Sequence, residues 1–161
     1  MLWEVDIYPA HGQPDLLGRQ IAASAAELGL ADRLSVIAAR GYLIQANLDR
    51  GQIERIVHEL LADRVVERAV VVTVGDASLG TAPPPDGDRP AGGAKLIHVL
   101  PKPGVMDPVA QSVVSAIADF GLKVEVVRTF KKYWIDGLPD DCVETISSKV
   151  LANDAIEQTI V

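Results

Sequence analysis

Pro101-Lys102-Pro103-Gly104-Val105-Met106-Asp107-Pro108 reads as the end of a strand, a tight turn and the start of a helix. Pro103-Gly104 is turn chemistry. Asp107 can cap a helix through its carboxylate, and Pro108 suits the first helical position, where no backbone donor is needed. An echo lies far upstream in Pro9-Ala10-His11-Gly12-Gln13-Pro14-Asp15. Pro9, Gly12 and Asp15 stand 92 positions before Pro101, Gly104 and Asp107. The chain therefore reads as one unit written twice.

The correspondence continues away from that turn. Leu28-Gly29-Leu30 aligns with Phe120-Gly121-Leu122, and Tyr42-Leu43-Ile44 with Tyr133-Trp134-Ile135. Leu60-Leu61-Ala62-Asp63 aligns with Val150-Leu151-Ala152-Asn153, and Val66 to Val71 with Ile156 to Val161. The offset drifts from 92 to 90 along the chain. A duplication of this kind argues against one large single-core enzyme domain.

Each half carries the same order of elements. In the first, Trp3, Val5 and Ile7 alternate with Glu4, Asp6 and Tyr8, the period of a half-buried strand. A helix follows from Asp15 to about Leu28, with Gly29 ending it. Residues 34–39 and 42–46 read as two strands joined near Arg40-Gly41, a hairpin. Residues 51–62 are helical by spacing, and 66–74 form a β-branched strand. The second half repeats this with strand 96–100, helix 107–120, strands 124–128 and 131–136, helix 140–151 and strand 155–161. The fold class is therefore α+β: two tandem β-α-β-β-α-β units with antiparallel sheets, helices on one face, packed as a pseudo-dimer.

The domain division places repeat 1 at 1–74, a Pro/Gly-rich linker at 75–94 and repeat 2 at 95–161. The linker carries Pro83-Pro84-Pro85, Gly87, Pro90 and Gly92-Gly93 without periodicity. In each unit one sheet face is left bare. In the second, that face would carry Leu96, His98 and Leu100, with Trp134 beside Lys132, too apolar to remain in water. The expected cover is the sheet of the other copy or another chain. The copies pack on each other within one chain or exchange between chains, and a homodimer is a further expectation.

Composition narrows the functional classes. A formal net charge of -7 and a pI near 4.9 argue against nucleic acid and an anionic membrane as partners. The one cysteine, Cys142, leaves no disulfide framework and fits a reducing cytoplasm. No apolar run reaches the roughly 20 residues a membrane span requires. The expected setting is cytoplasmic.

Chemistry-bearing residues do not converge. His11, His58 and His98 fall in different elements, do not recur between copies, and lack metal-ligand spacing to Cys142. Cys142 lies on the first turn of a helix, where a thiolate would be favoured, but no base is placed beside it. The linker glycines precede no Gly-Lys-Ser/Thr, and Asp76, Asp86 and Asp88 lack the spacing of a calcium loop. The expectation is no catalytic residue, no cofactor and no metal. Lys102 beside a helix start, Arg128, Lys131, Lys132 and Trp134 are the candidate interface residues. A tryptophan between cations is a common anchor.

Lys102-Pro103-Gly104-Val105-Met106-Asp107-Pro108 resembles the lysine-proline-glycine-valine-x-aspartate-proline signature of the PurS family, the small accessory subunit of phosphoribosylformylglycinamidine synthase. Val127-Arg128 followed by Lys131 looks like that family's second hairpin, and Lys149 to Glu157 resembles its terminal helix and strand. The likeness covers residues 95–161. Residues 60–67 are similar to the same terminal element in PurS-like domains of longer synthetases. Phe130 stands where the family usually has glycine, and Asp154 where it often has proline. The resemblance implies a non-catalytic scaffold that bridges a glutaminase and an ATP-dependent synthetase in de novo purine biosynthesis, for amidation of formylglycinamide ribonucleotide. A tandem copy would act as a covalent pseudo-dimer with a high effective concentration. The competing reading is a small-molecule-binding regulatory domain of ferredoxin-like type.

Overall fold

The computed structural model describes residues 1–83 and 93–161. It holds strands β1 (Leu2–Pro9), β2 (Ser35–Gln45), β3 (Glu67–Thr73), β4 (Lys95–Pro101), β5 (Val126–Asp136) and β6 (Glu157–Ile160). Helix α1 is Leu16–Glu27 and α2 is Arg50–Ile56, the latter running into a π turn at Val57–Leu61. Helix α3 is Pro108–Asp119, and α4 (Val143–Ile146) is flanked by a 3₁₀ turn and a second π turn at Ser147–Leu151. The strands form one six-stranded antiparallel sheet in the order β3-β1-β2-β5-β4-β6.

That order reads the same from either end once β1, β2 and β3 are exchanged for β4, β5 and β6. The β2–β5 register sharpens the point: Arg40 pairs with Lys131, its own counterpart 91 positions on. A pseudo-two-fold axis thus passes between those two residues, and the halves meet edge to edge. Within the chain the two halves share one sheet and do not cover each other face to face. The α+β class and the helices on one face hold.

The turns that opened the reading are built alike. Gly12 and Gly104 take positive φ (79° and 82°), the left-handed conformation that glycine adopts without a Cβ clash. Asp15 accepts from the backbone of Gly18 at 2.8 Å, and Asp107 from Ala110 at 3.0 Å, each capping its helix. Each carboxylate has a second task. β1 stops pairing at Ile7–Arg40, so β2 continues past it and the outward N–H of Ala38 meets no strand. The Asp15 Oδ2 takes the N–H of Ala38 at 2.8 Å, and the Asp107 Oδ2 takes that of Thr129 at 2.8 Å. For Asp107, burial opposes the charge. The Thr129 and Ala110 backbone bonds outweigh it, and the carboxyl is held below its usual range.

Those bonds fix each first helix over the extension of the long strand, and so over the other unit. Ile21 and Ala25 of α1 are buried with Ile97, Val99, Tyr133, Ile135, Ile146 and Leu151. Ala110, Val113 and Ile117 of α3 are buried with Val5, Ile44, Ile53, Val57 and Val71. The helices are exchanged between units. Burying an isoleucine or valine contributes roughly 1.5–3 kcal/mol, against a typical net stability of about 5–15 kcal/mol. Losing one exchanged helix therefore removes much of a unit's margin.

The two hairpins read from sequence are absent. β2 and β5 are each continuous, because Arg40-Gly41 and Thr129-Phe130 lie in extended backbone within the ladder. Gly41 is needed for space: a Cβ there would lie 2.1 Å from Cζ of Phe130, its partner across the strands. Phe130, read as a departure from a glycine position, is thus accommodated by a glycine on the facing strand. The linker residues Pro84, Pro85, Asp86, Gly87, Asp88, Pro90 and Gly92 lie outside the described residues. The described part ahead of them contains a 3₁₀ turn at Ala77–Gly80 that Asp76 caps.

Gly41→Ala should destabilise the fold by ~1–3 kcal/mol through overpacking. Phe130→Ala in the same chain should recover part of that loss. A double-mutant cycle in urea measures the coupling, which additive effects would refute.

Candidate functional site: a buried charge cluster between the halves

Alternation assigns each side chain to a sheet face. Odd positions of β1 and β4 face the helices, as do even positions of β2 and odd positions of β5. The opposite face carries Glu4, Asp6 and Tyr8 from β1, Ala39 and Gly41 from β2, Phe130, Lys132 and Trp134 from β5, and Leu96 and His98 from β4. Ala82 and Ala94, both within the linker, pack against Tyr8, Ala39 and Trp134 on this face.

Lys132 lies at the centre. Its ammonium donates to Asp6 Oδ2 at 2.7 Å and Glu4 Oε1 at 3.0 Å, both on β1, two strands away. The route crosses β2 at Ala39 and Gly41, where small residues leave room for the lysine stem. Lys132 is only 1% exposed and Asp6 only 2%. Trp134 packs its ring 5.7 Å from the same ammonium and donates from Nε1 to the Tyr8 hydroxyl at 3.2 Å. Arg68 lies over the other side of Tyr8, with its guanidinium 4.9 Å from the ring centroid. His98 stands 4.0 Å from Glu4 and contacts the Phe130 ring.

One cation faces two carboxylates in a dry site, and protonation follows from that imbalance. Burial pushes the Asp6 carboxyl up to about 6, against the pull of Lys132 and with help from Glu4. Its Oδ1 is buried with no hydrogen-bond partner among the described residues, so only half the carboxylate is satisfied. Burial disfavours charge on Lys132, but the bonds and charges of Asp6 and Glu4 outweigh it and hold the ammonium above its usual range. Burial and Lys132 together lower His98, which keeps it neutral at physiological pH. Burial and the Asp6 charge raise the Tyr8 hydroxyl.

This arrangement joins the two halves, and its central groups are closed to solvent. A general acid or base must come within hydrogen-bond reach of its substrate, and Lys132 and Asp6 have almost no exposed surface. What the cluster does is bridge the halves, since β1 belongs to one and β5 to the other.

The five sequence-derived interface residues therefore separate. Lys132 and Trp134 are buried inside the chain, where they bind the first unit. Lys131 faces the helices and pairs with Glu157 at 3.1 Å. Arg128 is exposed, on the same face as Lys132. Lys102 is half-buried and donates to the Asp154 carbonyl. Sequence reasoning missed Glu4 and Asp6, which alternation placed on a watery face. Acidic residues at alternate positions of one strand, with a lone lysine at a face position of another, were the available signal. Cys142 carries no thiolate: burial and the neighbouring Asp141 raise its pKa, and its Sγ lies 3.5 Å from the Leu30 carbonyl. No helix among the described residues is long and apolar enough to cross a membrane.

The family model described as PurS, phosphoribosylformylglycinamidine (FGAM) synthase, matches residues 95–161. No curated protein matches the chain.

Lys132→Met should cost ~3–5 kcal/mol at neutral pH, because it strands two buried carboxylates. Urea midpoints check this, and a loss near zero would contradict the role given to Lys132. A second measurement concerns Asp6. Its folded pKa lies above its ordinary 3.8, so the folded chain holds that proton more tightly. The associated stability is fully present below about pH 4 and is lost as pH rises through about 6. Asp6→Asn should flatten the stability profile across that window relative to the parent chain.

Proposed function

Residues 95–161 belong to the PurS family of FGAM synthase, and from that premise we propose that the whole chain is a covalent PurS-type pseudo-dimer serving as a scaffold in that enzyme. The family-model match over residues 95–161 supports a role in purine biosynthesis. The scaffold reading goes further: the chain bridges the glutaminase and synthetase components and contributes no catalytic group.

The observation that carries it is the β2–β5 register. The first half meets the PurS half through counterpart strands, centred on Arg40 and Lys131, in the place a second copy would take. The element order of residues 1–73 also repeats in 95–160, down to the paired π turns. The helix-free face supports the reading as well, since its central charges are consumed in joining the halves. That leaves the outer surface for partners, with Arg128 and Lys102 as the cationic contacts.

Reconstitution with the glutaminase and synthetase components tests this. Omitting the chain should lower glutamine-dependent FGAM formation at least ~tenfold, and tagged chain should retain both partners. Arg128→Glu should weaken that retention by roughly 1–2 kcal/mol with the fold intact. Full activity without the chain, together with no co-purification, would remove the proposal.

A further inference from the structure

A groove of about 420 Å³ runs between α1 and the π turn of the second unit, with Ser24, Glu27, Lys131, Tyr133, Lys149 and Leu151 among its lining residues. Its size suits a small molecule. Because α1 comes from the first unit, the groove exists only where the halves meet.

The pseudo-two-fold axis supplies a template for what this place is built to hold. At the equivalent position of the first unit stands Arg40. Its guanidinium donates to the Tyr42 hydroxyl at 3.1 Å, the Leu61 carbonyl at 2.7 Å and the two Glu67 oxygens at 3.0 and 2.8 Å. The second unit keeps all three acceptors, as Tyr133, Leu151 and Glu157. Only the cation differs. Lys131 is a compact ammonium that bonds Glu157 at 3.1 Å, and it has no planar fork with which to span the other two.

Tyr133 and Leu151 therefore line the groove without the guanidinium their counterparts hold. The Tyr133 hydroxyl is pushed up to about 12 by burial, then by Glu157 and Asp15, and stays neutral and able to accept. The Lys131 side chain is 45% exposed, so it can yield Glu157 to a better-fitting cation at little cost. Glu27 at the end of α1 and Lys149 in the π turn both line the groove.

We propose that this groove binds a small guanidinium-bearing molecule, with the Tyr133 hydroxyl and the Leu151 carbonyl of its lining, and Glu157 next to it behind Lys131, taking the contacts that Arg40 makes in the first unit. The inference stands on the internal comparison and not on the scaffold reading. Loss of partner binding would leave it untouched.

Titration of the isotope-labelled full chain with agmatine, followed by amide NMR shifts, tests it directly. Ser24, Lys149 and Leu151 should respond, with a dissociation constant on the order of millimolar for so small a ligand. Butylamine, matched in chain but carrying an ammonium, should bind at least ~tenfold more weakly. Lys131→Arg places the guanidinium inside the chain and should abolish the response while preserving the dispersed spectrum of a folded protein. No response in the tens of millimolar, equal binding of butylamine, a response to inorganic phosphate instead, or an unchanged response in Lys131→Arg would each overturn the assignment.

Discussion

Eleven consecutive residue pairs join β2 to β5, and each strand meets its own counterpart. Every other relation between the halves follows from that contact. Because the long strands run past β1 and β4, Ala38 and Thr129 each have an outward N–H that no neighbouring strand takes. Each first helix is pinned there by the aspartate that also caps it. Those pins carry α1 onto the second unit and α3 onto the first, so the two hydrophobic cores are each built from both halves. The backbone ladder sets the geometry, and the exchanged helices supply the apolar area that makes separation costly.

Local features of this architecture were legible in the sequence. The caps at Asp15 and Asp107, the glycine turns and the order of elements on either side of the middle strand follow from side-chain chemistry and periodicity within a few residues. The continuous long strands were not. Arg40-Gly41 has the composition of a turn, and only the Phe130 ring across the ladder shows why a glycine stands inside a strand. The exchange of helices was equally hidden, since nothing local tells a helix whose sheet it will cover. The candidate site was half legible. Lys132, Trp134 and His98 were assigned to the right face. Their acidic partners were missed because Glu4 and Asp6 show an ordinary outward-facing period, and their burial arises from a strand more than a hundred residues away.

Burial decides what the polar residues can do. A lysine between two carboxylates, with a neutral histidine nearby, resembles catalytic equipment when taken as a list. With Lys132 and Asp6 at 1–2% exposure and Glu4 at 7%, the ionic part of that list acts as a rivet. Such a cluster is expensive to desolvate and stabilises only while every member is present. Asp6, with one oxygen unpartnered, is its weakest member.

The rivet also determines which assemblies are forbidden. The counterpart of Lys132 in the first half is Gly41, and the counterparts of Glu4 and Asp6 in the second half are Leu96 and His98. Two first halves facing each other would enclose four carboxylates with no lysine among them. Two second halves would enclose a pair of ammonium groups with no acid. Self-recognition is thus penalised on both sides, and only the union of unlike halves sets a cation against the carboxylates. Within one polypeptide the two halves fit as a lock and its key.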